Sequence, residues 1–270
     1  METKKVTLVY FSPTGTSKKV LEGIARGIGV EDIERIDLTL PANAPRQTPV
    51  FSDELVLIGA PVYGGRLSVD AVARFKQLRA DKTLVILVVL YGNRDFEDAL
   101  LELKNLTIEL GFIPVAGGAF IGEHSFATKD APIASGRPDA LDIQIAMEFG
   151  ERIKAKIAAL ESLSDQLDLK VSGRYPYEAN GARTMAISPV TEHEICTVCG
   201  TCASVCPTTA IIVNDSVTTE IERCIRCCAC IKSCTTGARV FTDSMMQNLA
   251  KGLSQYFSYP KEPRIFGVDG

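Results

Sequence analysis

Eight of the nine cysteines in this chain of 270 residues fall into two runs of identical spacing. Each run has the form Cys-x2-Cys-x2-Cys-x3-Cys, and the second run repeats the first at an offset of 28 residues. Three thiolates on one tight loop, with a fourth further along the chain, are suited to holding an iron–sulfur cube. The spacing therefore predicts two [4Fe–4S] clusters with the ligands Cys196, Cys199, Cys202, Cys206, Cys224, Cys227, Cys230 and Cys234.

Zinc and disulfides are the two alternatives for so many cysteines. Structural zinc sites usually show two separated pairs of ligands, and these runs contain four ligands each. Disulfides fit poorly, because the N-terminal residues 1–11 have neither the apolar core nor the cleavage site of a secretory signal. We therefore expect reduced thiols and a cytoplasmic protein.

Residues 191–243 resemble a bacterial two-cluster ferredoxin. The resemblance rests on the two runs and on the triplet 208–210, which recurs in related form at 236–238. It implies that the fourth cysteine of each run ligates the other cluster. The first cluster is thus assigned to Cys196, Cys199, Cys202 and Cys234, and the second to Cys224, Cys227, Cys230 and Cys206. Thr235 stands where the first run has Pro207, and Cys228 falls outside the spacing, so we interpret it as a buried thiol that binds no iron.

A second motif with binding chemistry lies near the N-terminus, where a strand predicted at 6–11 leads into a hydroxyl-rich turn and a helix. Free backbone N–H groups and the positive helix end attract an anion, and side-chain hydroxyls add donors. The alternative is a capped helix that binds nothing. The turn has no P-loop lysine and no G-x-G-x-x-G fingerprint. We predict that it holds a phosphate through Ser12, Thr14, Gly15, Thr16 and Ser17.

Four further strands and three helices are predicted after this turn, with strands at 33–38, 54–59, 83–90 and 112–121 and helices at 67–78, 96–110 and 138–163. Ligands of open α/β sheets bind beyond the carboxyl ends of the strands. The loops at these ends therefore supply the remaining candidate cofactor-binding residues, which are Pro61, Val62, Tyr63, Gly64, Gly65, Tyr91, Gly92, Asn93 and His124.

These loops, together with the hydroxyl-rich turn, resemble the FMN-binding loops of flavodoxins. The resemblance implies an α/β fold with a doubly wound, five-stranded parallel sheet of order 2-1-3-4-5, and FMN at the switch point. It also implies that Tyr63 stacks on the flavin ring. The peptide Gly64–Gly65 would reorient near the flavin N5 atom, because glycine permits that change. Gly92 and Asn93 would contact the pyrimidine edge of the flavin.

The predicted domain organisation has four parts. Residues 1–164 form the flavodoxin-like domain, residues 165–190 a linker, and residues 191–243 the small α+β ferredoxin-like domain. Residues 244–270 form a helix capped by Asp243, followed by a tail. The linker and the aromatic segment 257–260 are expected to pack on the rest of the protein.

Composition excludes two classes of partner. The net charge of −4 lacks the basic footprint that non-specific nucleic-acid binding needs. The sequence contains no apolar run near the ~18 residues of a membrane span. We expect a protein that binds no nucleic acid and has no membrane span.

A flavodoxin-like domain joined to a two-cluster ferredoxin resembles the flavodoxin–ferredoxin fusions of anaerobes. The resemblance implies a low-potential electron-transfer protein that passes electrons between FMN and two [4Fe–4S] clusters, and on to a redox partner protein. One alternative is an FMN-dependent reductase of a small molecule, with His124, Tyr63 or Tyr91 as the proton donor. Another is a binding module with structural clusters. A homodimer, in which two chains bring FMN beside a cluster, is an alternative to a site within one chain.

Overall fold

The computed structural model describes residues 3–161, 168–178 and 186–268. The helices in these ranges are α1 (Thr16–Ile28), α2 (Val69–Phe75), α3 (Ala99–Glu109), α4 (Ala140–Ala159), α5 (Thr201–Ser204), α6 (Ala229–Lys232) and α7 (Ser244–Tyr256). The strands are β1 (Lys5–Tyr10), β2 (Asp32–Asp37), β3 (Val50–Phe51), β4 (Leu55–Tyr63), β5 (Arg66–Leu67), β6 (Arg79–Ala80), β7 (Thr83–Tyr91), β8 (Phe112–Ile121), β9 (Val190–Thr191), β10 (Ile211–Val213), β11 (Val217–Thr219), β12 (Arg239–Val240) and β13 (Arg264–Phe266).

The main sheet has the predicted doubly wound order. Its neighbours run β13-β8-β7-β4-β1-β2, and the pairs among β2, β1, β4, β7 and β8 are all parallel. In order of appearance these five strands give 2-1-3-4-5, so the flavodoxin-like fold class is confirmed. All nine residues of β7, the predicted central strand, are buried, as expected for a strand covered by helices on both faces. A register shift at Val85/Ile86, opposite Pro114, accounts for the expected bulge in β8.

The sheet differs from the prediction at one edge. β13 pairs antiparallel with β8, so that Ile265 lies opposite Gly118 and Phe266 opposite Gly117. The tail thus adds a strand that the five-stranded prediction lacked. Its three residues carry no periodic signal of their own, because an edge strand this short is defined only by the partner that supplies its hydrogen bonds.

Two hydrophobic cores flank the sheet. One packs α2 and α3 against one face, and the other packs α1 and α4 against the opposite face. Helices α1 and α4 approach closely, since a Cβ atom added at Gly27 would lie 1.9 Å from the Met147 carbonyl oxygen. This contact fixes α1, and therefore the hydroxyl-rich turn at its N-terminus, relative to the sheet.

The cysteine runs belong to a small module built from two short antiparallel sheets. β10 pairs with β11, and β9 pairs with β12. The module has its own core, which includes Cys202, Cys206, Ala210, Ile211 and Val217. Arg239 is buried there and donates to Thr191, Pro189 and Thr219, so it ties the two sheets together.

The segments around the module pack on the doubly wound domain. Arg174 and Glu178, from the described part of the predicted linker, donate their backbone N–H groups to the Asp98 carboxylate. Asp243 caps α7 as predicted, accepting from the N–H groups of Met245 and Met246. The end of the predicted helix at 138–163 and the linker residues 165–167 and 179–185 lie outside the described residues. The domain boundaries remain predictions. No helix in the described ranges is long and apolar enough to cross a membrane.

Candidate functional site

A cavity of about 290 Å³ opens at the carboxyl edge of the parallel sheet. The ends of β1, β4, β7 and β8 all contribute to its wall, as the switch-point rule for doubly wound sheets requires. Nine of the predicted cofactor-binding residues line it: Thr14, Thr16, Pro61, Val62, Tyr63, Gly64, Tyr91, Gly92 and His124.

The hydroxyl-rich turn presents a helix N-terminus to this cavity. Gly15 precedes α1 in the left-handed conformation, and no side chain caps the helix. The Ser12 hydroxyl accepts from the Lys18 N–H at 3.2 Å, so it braces the turn. The N–H groups of Thr16 and Ser17 precede the first helical bond, which Lys19 makes to the Gly15 carbonyl. The buried Ser17 hydroxyl has no hydrogen-bond partner among the described residues. An anionic phosphate would satisfy these donors, so the turn fits the phosphate of FMN.

The strand β4 ends in a tight hairpin that carries Tyr63 on the cavity wall. Tyr63 pairs with Arg66 across the two glycines, whose φ angles are 63° at Gly64 and 80° at Gly65. Gly64 lines the cavity, whereas Gly65 packs against Glu97 and accepts from the Asp98 N–H. Burial raises the pKa of the Tyr63 phenol well above its usual range, and charge on Cys227 and Cys228 raises it further.

The loop after β7 contributes differently from the prediction. Gly92 lines the cavity, but the buried Asn93 does not. The Asn93 amide donates to the carbonyl oxygens of Phe257 and Tyr259, at 2.6 and 2.9 Å. Its carboxamide oxygen accepts from the Lys261 N–H. The predicted contact between the Asn93 side chain and the pyrimidine edge is therefore replaced by a clamp on the tail, which the sequence alone could not place beside this loop.

His124 lies against Gly92 at the rim of the cavity, where a Cβ atom on Gly92 would come within 2.3 Å of the imidazole. Its Nδ1 accepts from the Phe126 N–H at 3.0 Å, which leaves Nε2 as the protonated nitrogen. Burial lowers the pKa of His124 to about 4, and the charges on Lys232 and Arg94 act in the same direction. His124 is therefore neutral at pH 7 and donates a hydrogen bond without being a strong acid.

The second cysteine run surrounds a small cavity of its own. Five thiols line it. One is Cys228, and the other four are Cys224, Cys227 and Cys230 from the run and Cys206 from the first run. Burial raises the pKa of Cys227 above its usual range and that of Cys230 to about 11, and charge on Cys206 raises both further. These four thiols are the set assigned to the second cluster by the crossed pattern. Iron would bind them as thiolates with release of protons, so the donor set fits a [4Fe–4S] cluster.

The first cysteine run is more open to solvent. Cys199 is exposed, Cys196 and Cys234 are half-buried, and Cys202 is buried. Burial raises the pKa of the Cys202 thiol above its usual value. Across the described ranges, no group of three or more His, Cys, Asp or Glu side chains is arranged to hold a single metal ion.

Cys228 occupies the position of Gly200 in the repeat. Both residues precede a short helix in the left-handed conformation, with φ angles of 60° at Cys228 and 79° at Gly200. A non-glycine residue in this conformation is strained. The Cys228 thiol is nonetheless buried and contacts the Arg226 carbonyl oxygen at 3.5 Å. The structure thus places a side chain between the second run and the doubly wound domain at a point where the first run has none.

Ten further residues line this flavin-sized cavity, and four of them come from outside the strand-end loops that sequence analysis singled out. Ile225 and Arg226 come from the second cysteine run, and Leu249 and Leu253 come from α7. The leucines belong to an apolar stripe with Met246 and Ala250, at the spacing of one helix face, and this stripe could have been recognised in the sequence. The position of Ile225 and Arg226 at the cavity depends on how the two domains dock, so no local sequence pattern predicts it.

Three contacts hold the module at this edge of the sheet. Lys232 forms an ion pair with Glu123, and its ammonium also reaches the His124 carbonyl oxygen at 3.4 Å. Arg74 on α2 donates to the Pro207 carbonyl oxygen. Phe126 packs edge-on against Phe241, with ring centroids 6.0 Å apart. The second cysteine run therefore lies at the cavity of its own chain.

Comparison with known proteins finds one protein-family match, and it includes the first cysteine run. A model of the 4Fe-4S binding domain matches residues 189–212. None of the curated proteins matches the chain. Among solved structures, a flavodoxin from the domain Archaea aligns with 16% identity over 57% of this chain and 99% of its own, with a TM-score of 0.36. A flavodoxin of Fusobacterium nucleatum bound to flavin mononucleotide aligns with 15% identity over 57% and 98%, with a TM-score of 0.41.

The chain therefore joins a domain of flavodoxin-like topology to a 4Fe-4S binding domain, as the sequence resemblance implied. The strand order shows the first part, and the family model shows the second.

Proposed function

We propose that this protein is a low-potential electron carrier that binds FMN and two [4Fe–4S] clusters and passes electrons on to a redox partner protein. The cavity at the carboxyl edge of the sheet carries the proposal. Its wall contains the hydroxyl-rich turn on one side and Ile225 and Arg226 of the second cysteine run on the other. A flavin in this cavity would lie directly beside the second cluster, which favours electron exchange between them.

The residues of the chain have distinct roles in this proposal. Thr14, Thr16 and the free N–H groups of α1 hold the phosphate. Tyr63 offers an aromatic face to the ring, and Gly64 offers a peptide that can reorient. Arg94 and Arg226 line the cavity and bring positive charge towards the ring, which favours the addition of electrons. FMN and the clusters supply the electron chemistry, and the chain sets their distance and surroundings.

The wall of the cavity also supports a carrier. Leu249 and Leu253 of α7 line the cavity, and the tail beyond α7 is tied to Asn93. A reductase needs access for its substrate and a proton donor at the flavin. The candidate His124 is neutral at pH 7 because its pKa is lowered to about 4, and the pKa of Tyr63 is raised by burial. These properties favour electron transfer over the reductase alternative.

An anaerobic redox titration of the full-length protein tests the proposal. Absorbance would follow the flavin, and electron paramagnetic resonance would follow the clusters as reducing equivalents are added. We expect about one equivalent of FMN and roughly eight irons per chain. We also expect magnetic or kinetic coupling between the flavin and one cluster, because the cavity wall includes residues of the second run.

Two results would contradict the proposal. One is a purified protein, reconstituted with iron, sulfide and FMN, that binds fewer than two clusters or no flavin. The other is a loaded protein in which flavin and clusters never exchange electrons. Turnover of a small molecule at the flavin, with no transfer to any protein acceptor, would instead favour the reductase.

A further inference from the structure

The two cysteine runs present loops of the same shape. Val198 and Arg226 occupy equivalent repeat positions, and both have a φ angle of 54°. Gly200 and Cys228, two residues further on in each run, are also equivalent. Both have a left-handed backbone, and they precede the short helices α5 and α6 respectively. An acidic pair precedes each run, Glu192 and Glu194 before the first and Glu220 and Glu222 before the second.

The loop of the second run is covered by the doubly wound domain. Ile225 packs against the core that contains α2 and α3, and Arg226 is only 7% exposed. Cys227 and Cys228 are buried as well. In the folded protein, the surface of this loop therefore packs against the doubly wound domain beside the flavin-sized cavity.

The equivalent loop of the first run is open. Ile195 and Val198 are 45% and 37% exposed, and Cys199 is exposed beside them. No charged residue occurs from Ile195 to Thr201, so the centre of this surface is apolar. We call the surface formed by Ile195, Val198 and Cys199 the first-loop face. Glu192 and Glu194 are exposed next to it, and within the described ranges neither carboxylate forms an ion pair.

We propose that the first-loop face docks a second redox protein, in the way that the second loop docks the doubly wound domain. The partner has an apolar surface around its own cofactor and basic residues at the edge, facing Glu192 and Glu194. The proposal rests on the proposed electron-carrier function. In the transfer this chain loses one electron and the partner gains it, and no covalent bond or proton changes place.

The shape of the module supports this assignment. The crossed ligands place the second cluster at the flavin-sized cavity and the first cluster behind the exposed Cys199. An electron that leaves through the first-loop face therefore crosses the whole module. The cavity on the other side of the module already has Leu249 and Leu253 of α7 in its wall.

Anaerobic stopped-flow reduction of cytochrome c, a basic redox protein, tests the docking. The informative variant is Glu192→Lys with Glu194→Lys. Its matched control is Glu148→Lys with Glu151→Lys, which reverses two exposed acids on α4, a helix of the doubly wound domain. At low ionic strength we expect the second-order rate constant to fall at least ~10-fold in the first variant and less than ~2-fold in the control. About 0.5 M salt should remove most of this difference.

Val198→Asn tests the apolar centre, because asparagine tolerates the left-handed backbone and keeps the loop shape. Its control is Ile108→Asn, which changes an exposed apolar residue on α3. At high salt, where charge steering is screened, we expect slower transfer from the first variant and unchanged transfer from the second.

The outcomes separate docking from function. Flavin and cluster contents and their mutual electron exchange are measured in each sample before mixing. If exchange within wild-type protein is absent, the proposed function fails. If exchange is present but wild-type protein does not reduce cytochrome c, or both charge variants slow equally, the docking proposal is overturned and the carrier function stands.

Discussion

The two cysteine runs share their spacing and their backbone turns, yet they lie in opposite surroundings. The second run is buried against the doubly wound domain, and its Ile225 and Arg226 reach the flavin-sized cavity. The first run keeps Cys199 and Val198 exposed. The residues between the ligands differ as well, since Arg226 and Cys228 stand where the first run has Val198 and Gly200. A duplicated ligand pattern has thus acquired two different surfaces.

This difference has an electrochemical consequence. Cluster potentials depend on solvent exposure and on hydrogen bonds to the sulfur atoms. The buried surroundings of the second run and the open surroundings of the first therefore predict two distinct potentials. The following three predictions test the comparison, from the largest expected effect to the smallest.

Cys206→Ala should remove the second cluster and leave the first, because Cys206 lines the cavity of Cys224, Cys227 and Cys230. We expect the iron content to fall to roughly half. Iron analysis and electron paramagnetic resonance of the reduced protein would measure the loss.

The matched variant is Cys234→Ala, which should remove the first cluster instead. Cys228→Ala serves as the control that should keep both. Loss of the first cluster alone in Cys206→Ala would disprove the crossed assignment, and the two runs would then be independent sites.

Thr14→Asp should release the flavin, since a carboxylate in the hydroxyl-rich turn repels the phosphate. We expect FMN affinity to fall by roughly 100-fold or more, as like charges in a binding site cost several kcal/mol. Flavin loss should then alter the signal of the second cluster and leave that of the first unchanged, because only the second run lines the cavity.

Thr48→Asp, in an exposed loop, provides the control for added charge. Fluorescence of free flavin and the reduced spectra of both variants give the result. Stoichiometric flavin in Thr14→Asp would refute the phosphate assignment, and equal changes in both clusters would weaken the contrast between the runs.

Cys228→Gly should leave both clusters in place and change stability little. Glycine relieves the strain of the left-handed backbone at φ 60°, which offsets the loss of a small buried side chain. The converse variant Gly200→Cys introduces that strain, and a Cβ there meets nothing within 4 Å, so we expect it to cost about 1 kcal/mol.

Thermal unfolding of the two variants, with iron content as the check on cluster occupancy, measures the difference. A loss of iron in Cys228→Gly would make Cys228 a ligand and contradict the spacing argument. Greater destabilisation by Cys228→Gly than by Gly200→Cys would show that the packing of the thiol outweighs the backbone strain.

Much of the fold followed from local pattern. The apolar runs that became β1, β4, β7 and β8 lie within four residues of their predicted positions at each end, and β8 matches at both ends. A parallel strand buried on both faces has a continuous apolar sequence, so its position can be predicted from the local sequence. β13 was missed because three edge residues gain their conformation from β8 alone.

The residues of the candidate site also fall into two groups, those indicated by local sequence and those brought there by contacts distant in sequence. Thr14, Tyr63 and Gly92 were predicted to bind the cofactor from strand ends, and the structure brings them to one cavity. Asn93 was assigned to the flavin, but its amide holds the tail, because a segment more than 160 residues away returns to this loop. The leucines of α7 and Arg226 reach the cavity for the same reason, through contacts distant in sequence.

The sequence by itself determined the chemistry of this protein. Ligand spacing predicts iron–sulfur binding, and strand-end motifs predict where an α/β sheet binds its ligand, because both depend on residues close together in the chain. Only the tertiary structure decided that the second run lies at the flavin-sized cavity and that the first faces solvent. The surroundings of the two runs depend on the docking of two domains through Arg74, Lys232 and Phe126. Contacts of this kind cannot be predicted from the periodicity of a sequence.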